Sequence, residues 1–267
     1  MKISIVTISF NQARFLQDCI DSVARQEGPF EHIIVDPGST DGSRDVIAAN
    51  HSHFSRCVLE PDKGPADGLN NGFRHATGEI YYYLNADDVL FAGAFAEARA
   101  YLRANPAIDV VSGNGYIIDE AGRRGRQVWS DRVTRHGLAH GGSILIQPAT
   151  FIRREAFLRT NGFNPENRSS WDGELVVDLF LTGSRFGRVE RYWAGFRLHG
   201  DSITGSARLE EQMRHWAFRR HKRVLGRPPG WGYPAIARYY RVRRVALRPA
   251  AIMERLRHGA VFGARRK

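Results

Sequence analysis

"YYYLNADDVL", residues 81–90, runs three tyrosines and a leucine straight into an amide and two adjacent carboxylates, Asn85, Asp87 and Asp88. Read from Glu79, the segment is short, apolar and aromatic, which marks a buried strand that ends at charged residues. Three upstream segments share that form: "ISIVTISF" (3–10), "HIIVD" (32–36) and "RCVLEPD" (56–62). Between them lie stretches with helical spacing. "ARFLQDCIDSVARQ" (13–26) puts Phe15, Leu16, Cys19, Ile20 and Val23 on one face, Ser39 or Thr40 is placed to cap a helix running to about Asn50, and "ADGLNNGFRHA" (66–76) reads as a third helix. Strict alternation of strand and helix predicts an α/β fold with a mostly parallel sheet flanked by helices. Ligands bind beyond the carboxyl ends of such strands. Asp36, Asp62, Asp87 and Asp88 each follow a strand, so the pattern predicts several carboxylates along one sheet edge. Any one of them alone would be a turn former or helix cap.

A chain of 267 residues with 42% hydrophobic content is long enough to bury a sizeable core. It contains no run of 18 apolar residues, and "MKISIVTISF" meets Asn11, Gln12 and Arg14 too soon for a signal peptide, so a cytoplasmic protein is expected. Cys19 and Cys57 lack metal-ligand spacing and read as free thiols. The "NRS" at 167–169 matches a glycosylation acceptor but carries no weight in a cytosolic chain.

Charge divides the chain. Of 39 Lys and Arg, 17 lie from Ser206 onward, against 3 of the 28 acids. Two regions are therefore expected, residues 1–205 and a basic helical extension over 206–267. Within the first, "DVVSGNGYIID" (109–119) reads as a strand or hairpin arm, "GRRGRQV" (122–128) as a turn, and "GGSILIQPATFIRREAFLRTNGF" as a strand and short helix. "SSWDGELVVDLFLTG" (169–183) follows as a helix, and "RYWAGFRLHGDS" (191–202) as a strand ending near His199. In the extension, "ARLEEQMRHWAFRRHKRVLG" sets Leu209, Met213, Trp216, Ala217 and Val224 on one helical side.

"VTISFNQARFLQDCIDSVARQ", "HIIVDPGSTDGS", "EPDKGPADGLNNGF", "ATGEIYYYLNADDVL" and "QPATFIRREAF" resemble, in order and spacing, the inverting glycosyltransferases of family 2, and in particular the subgroup with EPDKG and LNxDD motifs. The resemblance spans roughly residues 3–205. It implies a GT-A fold domain that binds a nucleotide-sugar donor, with UDP as the default, and transfers its sugar to a hydroxyl of a glycan or lipid-linked acceptor.

On that resemblance, Thr7, Asn11, Asp36, Asp62, Lys63, Asn85 and Asp87 contact the nucleotide. Asp87, Asp88 and His199 hold a divalent cation, Mn²⁺ or Mg²⁺, which stabilises the departing diphosphate as a Lewis acid. Asp172 and Glu174, in "SWDGELVVDLFLTGSRF", take the two acidic positions of the family's base segment. Asp172 is the expected general base and Glu174 its reserve; the plain alternative is that both favour a helix start. Gln147, Thr150 and Arg153 are candidates for the acceptor groove. Three departures bear on the donor: Asn85 stands where the common motif has an acid, Pro37 where a second acid is usual, and Leu69 where many relatives carry arginine.

The basic tail, interleaved with Trp216, Phe218, Trp231, Tyr233, Tyr239 and Tyr240, suits a peripheral seat on the anionic inner membrane face. Nucleic acid is the weaker reading of the same composition, and a solvated basic face with no partner is the plain one. Two further function classes stay open on sequence alone. A nucleotidyltransferase would share the sheet and acids but needs a glycine-rich loop that "SFNQARF" lacks, and a non-catalytic adaptor would use only the tail.

Overall fold

A computed structural model of the chain describes residues 1–200 and 210–259. The first part is three βα steps and a fourth strand. β1 (Ile3–Ile8), β2 (Phe30–Val35), β3 (Arg56–Val58) and β4 (Ile80–Asn85) alternate with α1 (Ala13–Ala24), α2 (Ser43–Ala49) and α3 (Pro65–Phe73). They pair in parallel in the spatial order β3-β2-β1-β4, with Ile8 level with both Val35 and Asn85. The strand ends therefore share one edge, as the alternation predicted.

Why the 81–84 run is continuous rather than alternating is clear from its two faces. Tyr82 and Leu84 enter the core on one side, where Tyr82 stacks on Phe151 at 4.5 Å and donates its hydroxyl to the Pro148 carbonyl at 2.8 Å. Tyr81 and Tyr83 enter the other side, among Phe73, Phe163 and Trp171. A strand covered on both faces needs apolar bulk at every position. Close helix packing is set by Gly72 of α3, where a Cβ would collide with Val6 and stand 3.0 Å from Val35 Cγ2.

Beyond β4 the sheet is mixed rather than mostly parallel. β5 (Val89–Leu90), β6 (Val110–Ile118), β7 (Arg124–Val128), β8 (Thr150–Arg153) and β9 (Phe186–Arg197) extend it as β4-β8-β6-β9-β5, with β7 beside β6. Only β6 and β9 run parallel in this half; β8 is antiparallel to both β4 and β6. The segment at 122–128, expected as a turn, is instead largely β7, the returning arm of a hairpin. Residues 142–146 contribute no strand. Helices α4 (Ala94–Ala104), α5 (Arg135–His140), α6 (Arg154–Leu158) and α7 (Trp171–Leu181) complete this part.

The basic extension forms α8 (Glu210–Leu225), α9 (Tyr233–Ala246) and α10 (Pro249–His258). Trp216 and Val224 bury against Leu138, Ala139 and Val177, while Met213, expected on the same side, is exposed. Tyr240 of α9 stacks on His140 at 5.2 Å. Leu209 and the expected boundary at 205/206 lie outside the described residues. Among the described residues no helix is long and apolar enough to cross a membrane. Both cysteines are free thiols.

Candidate active site

At the end of β4 the chain turns through Ala86 to Asp88, and β5 pairs antiparallel with β9, Val89 opposite Gly195. That pairing carries the end of β9 over the acids. His199, two residues beyond β9, brings Nε2 to 3.0 Å from Asp87 Oδ2, joining groups 112 residues apart. Phe15 of α1 packs against the imidazole with ring centroids 4.9 Å apart.

Beneath this pair lies a residue that sequence reasoning missed. Arg197 is fully buried. Its Nε donates to the Asp87 carbonyl at 2.7 Å, Nη1 to the carbonyls of Asp119 and Glu120 at 3.1 and 2.6 Å, and Nη2 to Asp18 Oδ2 at 3.1 Å. Its guanidinium sits 4.7 Å from the Phe15 ring centroid, and its backbone N–H donates to Asp88 Oδ1 at 2.9 Å. An arginine inside "YWAGFRL" was the available signal, since a charge in an apolar strand is buried only when paired. Its partners are mostly carbonyls, which leave no mark in a sequence.

Asp88 is fully buried, and its Oδ2 has no hydrogen-bond partner among the described residues. Burial, reinforced by the neighbouring Asp87, pushes its carboxyl well above the usual range. Asn85 donates weakly to Gln147 Oε1 at 3.4 Å, and its Oδ1 is likewise buried without a partner. Gln147 is fixed in turn by donating to the Tyr83 carbonyl at 3.0 Å.

The donor-edge residues divide. Asn11 (φ 53°) clips the first loop to the second: its N–H donates to Ser39 Oγ at 2.8 Å, and its Oδ1 accepts from Thr40 N at 3.0 Å. Ser39 is thus a loop clip rather than a cap, and α2 starts after Gly42 with Asp41 Oδ1 accepting from Ser43 N. Asp62 accepts from Gly64 N at 2.8 Å. A side chain at Gly68 would meet its Oδ2 at 2.6 Å. Burial raises the Asp62 carboxyl, with Asp67 and Asp36 adding to the effect against the Gly64 bond. Lys63 is exposed beside it, its N–H held by Asp67 at 3.0 Å.

Two expected nucleotide contacts are turned inward. Thr7 is fully buried and bonds His32 Nε2 at 2.8 Å. Asp36 is fully buried and accepts from Gly38 N, Ser39 N, Ser39 Oγ and Arg44 Nε at 2.6–3.1 Å. Burial raises its carboxyl, but these donors outweigh that and hold it below the usual value. Asp36 shapes the loop after β2 rather than offering a free carboxylate.

A cavity of about 300 Å³ opens on the other side of Asn85, lined among others by Gln147, Trp171, Asp172, Trp129 and Phe196. Asp172, in the first turn of α7, accepts from Gly173 N at 2.7 Å, and burial raises its carboxyl above the usual value. Glu174 is not brought to this cavity. Its carboxylate accepts from Asn164, Asn167 and Arg223 of α8 at 2.6–3.2 Å, so it anchors the extension. Arg223 also bonds Asp178. Arg153, expected in the acceptor groove, instead ties the carbonyls of Leu102, Asn105 and Ile108. Thr150 is buried in a hydroxyl cluster with Ser112 at 2.8 Å.

The donor set at Asp87 and His199 fits a hard divalent ion. His199 Nε2 and Asp87 Oδ2, 3.0 Å apart, offer an imidazole and a carboxylate that such an ion would take as ligands. Among the described residues no three His, Cys, Asp or Glu gather to enclose an ion.

Comparison with known proteins places the chain in a family and a fold. Residues 4–159 match the Glycosyl transferase family 2 profile. An uncharacterized glycosyltransferase of Nostoc sp. is 29% identical over 213 residues, 75% of this chain and 66% of that protein, so the chain spans about two thirds of its length. A PGL/p-HBAD biosynthesis glycosyltransferase of Mycobacterium bovis is 32% identical over 183 residues, 66% of this chain and 69% of its own. Among solved structures, S. aureus TarS 1–349 in complex with UDP-GlcNAc superposes with a TM-score of 0.69 at 16% identity, over 97% of this chain and 73% of that one. The mannosyltransferase PcManGT from Pyrobaculum calidifontis, in complex with GDP-Man and Mn²⁺, gives 0.58 at 20%, over 98% and 76%. The mixed α/β fold is that of GT-A glycosyltransferases, and the chain belongs to glycosyl transferase family 2.

Proposed function

We propose that the chain moves a sugar, with inversion, from a nucleoside diphosphate, UDP by default, to a hydroxyl of a glycan or lipid-linked acceptor, using Mn²⁺ or Mg²⁺. The observation that carries this reading is the meeting of Asp87 and His199 at the carboxyl edge, 3.0 Å apart and backed by buried Arg197. A cation bound there would supply Lewis-acid stabilisation of the leaving diphosphate. The TarS structure is a complex with UDP-GlcNAc and the PcManGT structure one with GDP-Man and Mn²⁺, which supports the donor class and a divalent ion.

In this reading Asp87 and His199 hold the ion, and Asn85, whose oxygen has no partner among the described residues, faces the ribose or an ion-bound water. Asp62 and Lys63, on the loop after β3, meet the nucleotide. Asp172, on the acceptor side, takes the proton of the attacking hydroxyl. Burial raises its carboxyl above the usual value, and a raised carboxyl is the stronger base in its ionised form, which suits general base catalysis. Membership of the family sets aside the nucleotidyltransferase and adaptor alternatives. The basic tail, with exposed Leu247, Met253 and Leu256 beside its arginines, would rest on anionic lipid, each Lys or Arg adding about 1 kcal/mol.

Asp172→Asn tests the assignment of the base. With UDP-sugar and Mn²⁺, transfer should fall by about 10²-fold or more while UDP affinity stays within about twofold of wild type. Full transfer activity in this variant would refute the role.

A further inference from the structure

The cavity beside Asn85 and Asp172 is not a simple groove. Beside the Asn85, Trp171, Asp172 and Phe196 already named, two further walls enclose it. β6, β7 and the 144–148 loop form one side, and α9 and α10 of the basic extension close the other through Arg244, Val245, Arg248 and Ala251. Ile117, Val128, Trp129, Ile146, Trp171 and Phe196 make most of the surface apolar. At about 300 Å³ it stands at the low end of small-molecule sites, which bury an apolar body and orient it with a few polar groups.

Three of the polar groups here are arginines. Arg244 pairs with Asp131 at 3.6 Å. Arg126 donates through Nη1 to the Gly259 carbonyl at 2.6 Å, and Arg248 through Nη2 to the Ser130 carbonyl at 3.0 Å while lying 5.8 Å from the Trp129 ring centroid. Each keeps a buried N–H without a partner among the described residues: Nε of Arg126 and Nη1 of Arg248. The nearby Glu254 is engaged by Gln127 N at 3.1 Å and by His258 at 3.7 Å. Asp131, Glu254 and Asp172 match the three arginines in number, so the pull on an anion comes from the two unpartnered N–H groups rather than from net charge. A buried donor left without an acceptor is costly, and a desolvated guanidinium favours an oxyanion above other partners.

Resting on the transferase reading above, we propose that this cavity seats the non-reacting part of the acceptor, and that the acceptor is an amphiphile with an apolar body among Trp129, Trp171 and Phe196 and one anionic group at Arg126 and Arg248. Asp172 and Asn85 line the same cavity, so an acceptor held there presents its hydroxyl between the base and the donor edge. The extension helices then form one wall of the acceptor site.

Titration of the full chain with octyl phosphate below its micellar concentration, with octanol and with inorganic phosphate tests the inference by calorimetry. Octyl phosphate should bind saturably and at least about tenfold more tightly than either part alone. Arg126→Gln combined with Arg248→Gln should bring octyl phosphate to the affinity of octanol, and Ala251→Trp, which fills the cavity, should abolish binding of both octyl compounds. Equal affinity for octanol and octyl phosphate, or wild-type binding by either variant, would overturn it. Mn²⁺-linked UDP binding, measured on the same samples, should be unchanged in the variants and reports that they are folded. Its absence in the wild type would defeat the transferase reading, whereas its presence without octyl phosphate binding would defeat only the acceptor inference.

Discussion

Replacing Arg197 by methionine removes a buried cation while keeping much of its length. The guanidinium serves three carbonyls, Asp87, Asp119 and Glu120, at 2.6–3.1 Å, and one carboxylate, Asp18, that is 57% exposed. Asp18 rehydrates at little cost. Glu120 is exposed and its carbonyl also rehydrates, so with about 1–3 kcal/mol for each of the other two acceptors the loss comes to about 2–6 kcal/mol. For a chain of this size that lowers the melting temperature by roughly 4–24 °C. The damage is also local: Arg197 Nε holds the Asp87 carbonyl, so cation-linked UDP affinity should fall several-fold even where the variant is fully folded. Thermal unfolding by circular dichroism, followed by UDP titration with Mn²⁺ well below the transition, reads both effects. A shift under about 3 °C with unchanged UDP affinity would refute the role given to Arg197.

Gly72→Ala should destabilise the chain by about 1–3 kcal/mol, because the added methyl collides with Val6 and comes within 3.0 Å of Val35 Cγ2 on the sheet under α3; denaturant unfolding measures it, and a neutral result would mean that α3 shifts freely. Glu31 supplies a pH-dependent contribution. Burial raises its carboxyl, but hydrogen bonds from Lys2, Ser4 and Thr77 outweigh this and lower it to about 2. The unfolded chain takes up the proton first, so this stability is complete above about pH 4.5 and is lost as pH falls toward 2. Acid unfolding of Glu31→Gln should be less steep across that window, and an identical profile would contradict the assignment.

The parallel half of the fold was legible because each strand is a short apolar run with its own helix behind it. Phe15, Leu16, Cys19, Ile20 and Val23 all bury as the periodicity of α1 predicted. The second half was harder to read because its order depends on long-range pairing: β8 enters between β4 and β6, and β9 is parallel to β6 across about 75 intervening residues. Asp87 and His199 were readable as candidates from position and resemblance, and the pairing of β5 with β9 brings them together. Thr7, Asp36 and Glu174 show the opposite limit. A polar residue at a strand end or helix start is equally suited to a ligand or to neighbouring backbone, and His32, Ser39 and Asn167 already occupy these three. Arg153 was misread for the same reason, since a guanidinium satisfies carbonyls as readily as substrates.

The most direct test of the account is the linkage between cation and nucleotide. Calorimetric titration of UDP into the wild-type chain, with Mn²⁺ and then with EDTA, should show at least about tenfold tighter binding in the presence of the ion. Asp87→Ala and His199→Ala should each erase that difference. UDP binding that is indifferent to the cation, or variants that keep the full linkage, would contradict the claim that these two side chains form the cation end of the donor site.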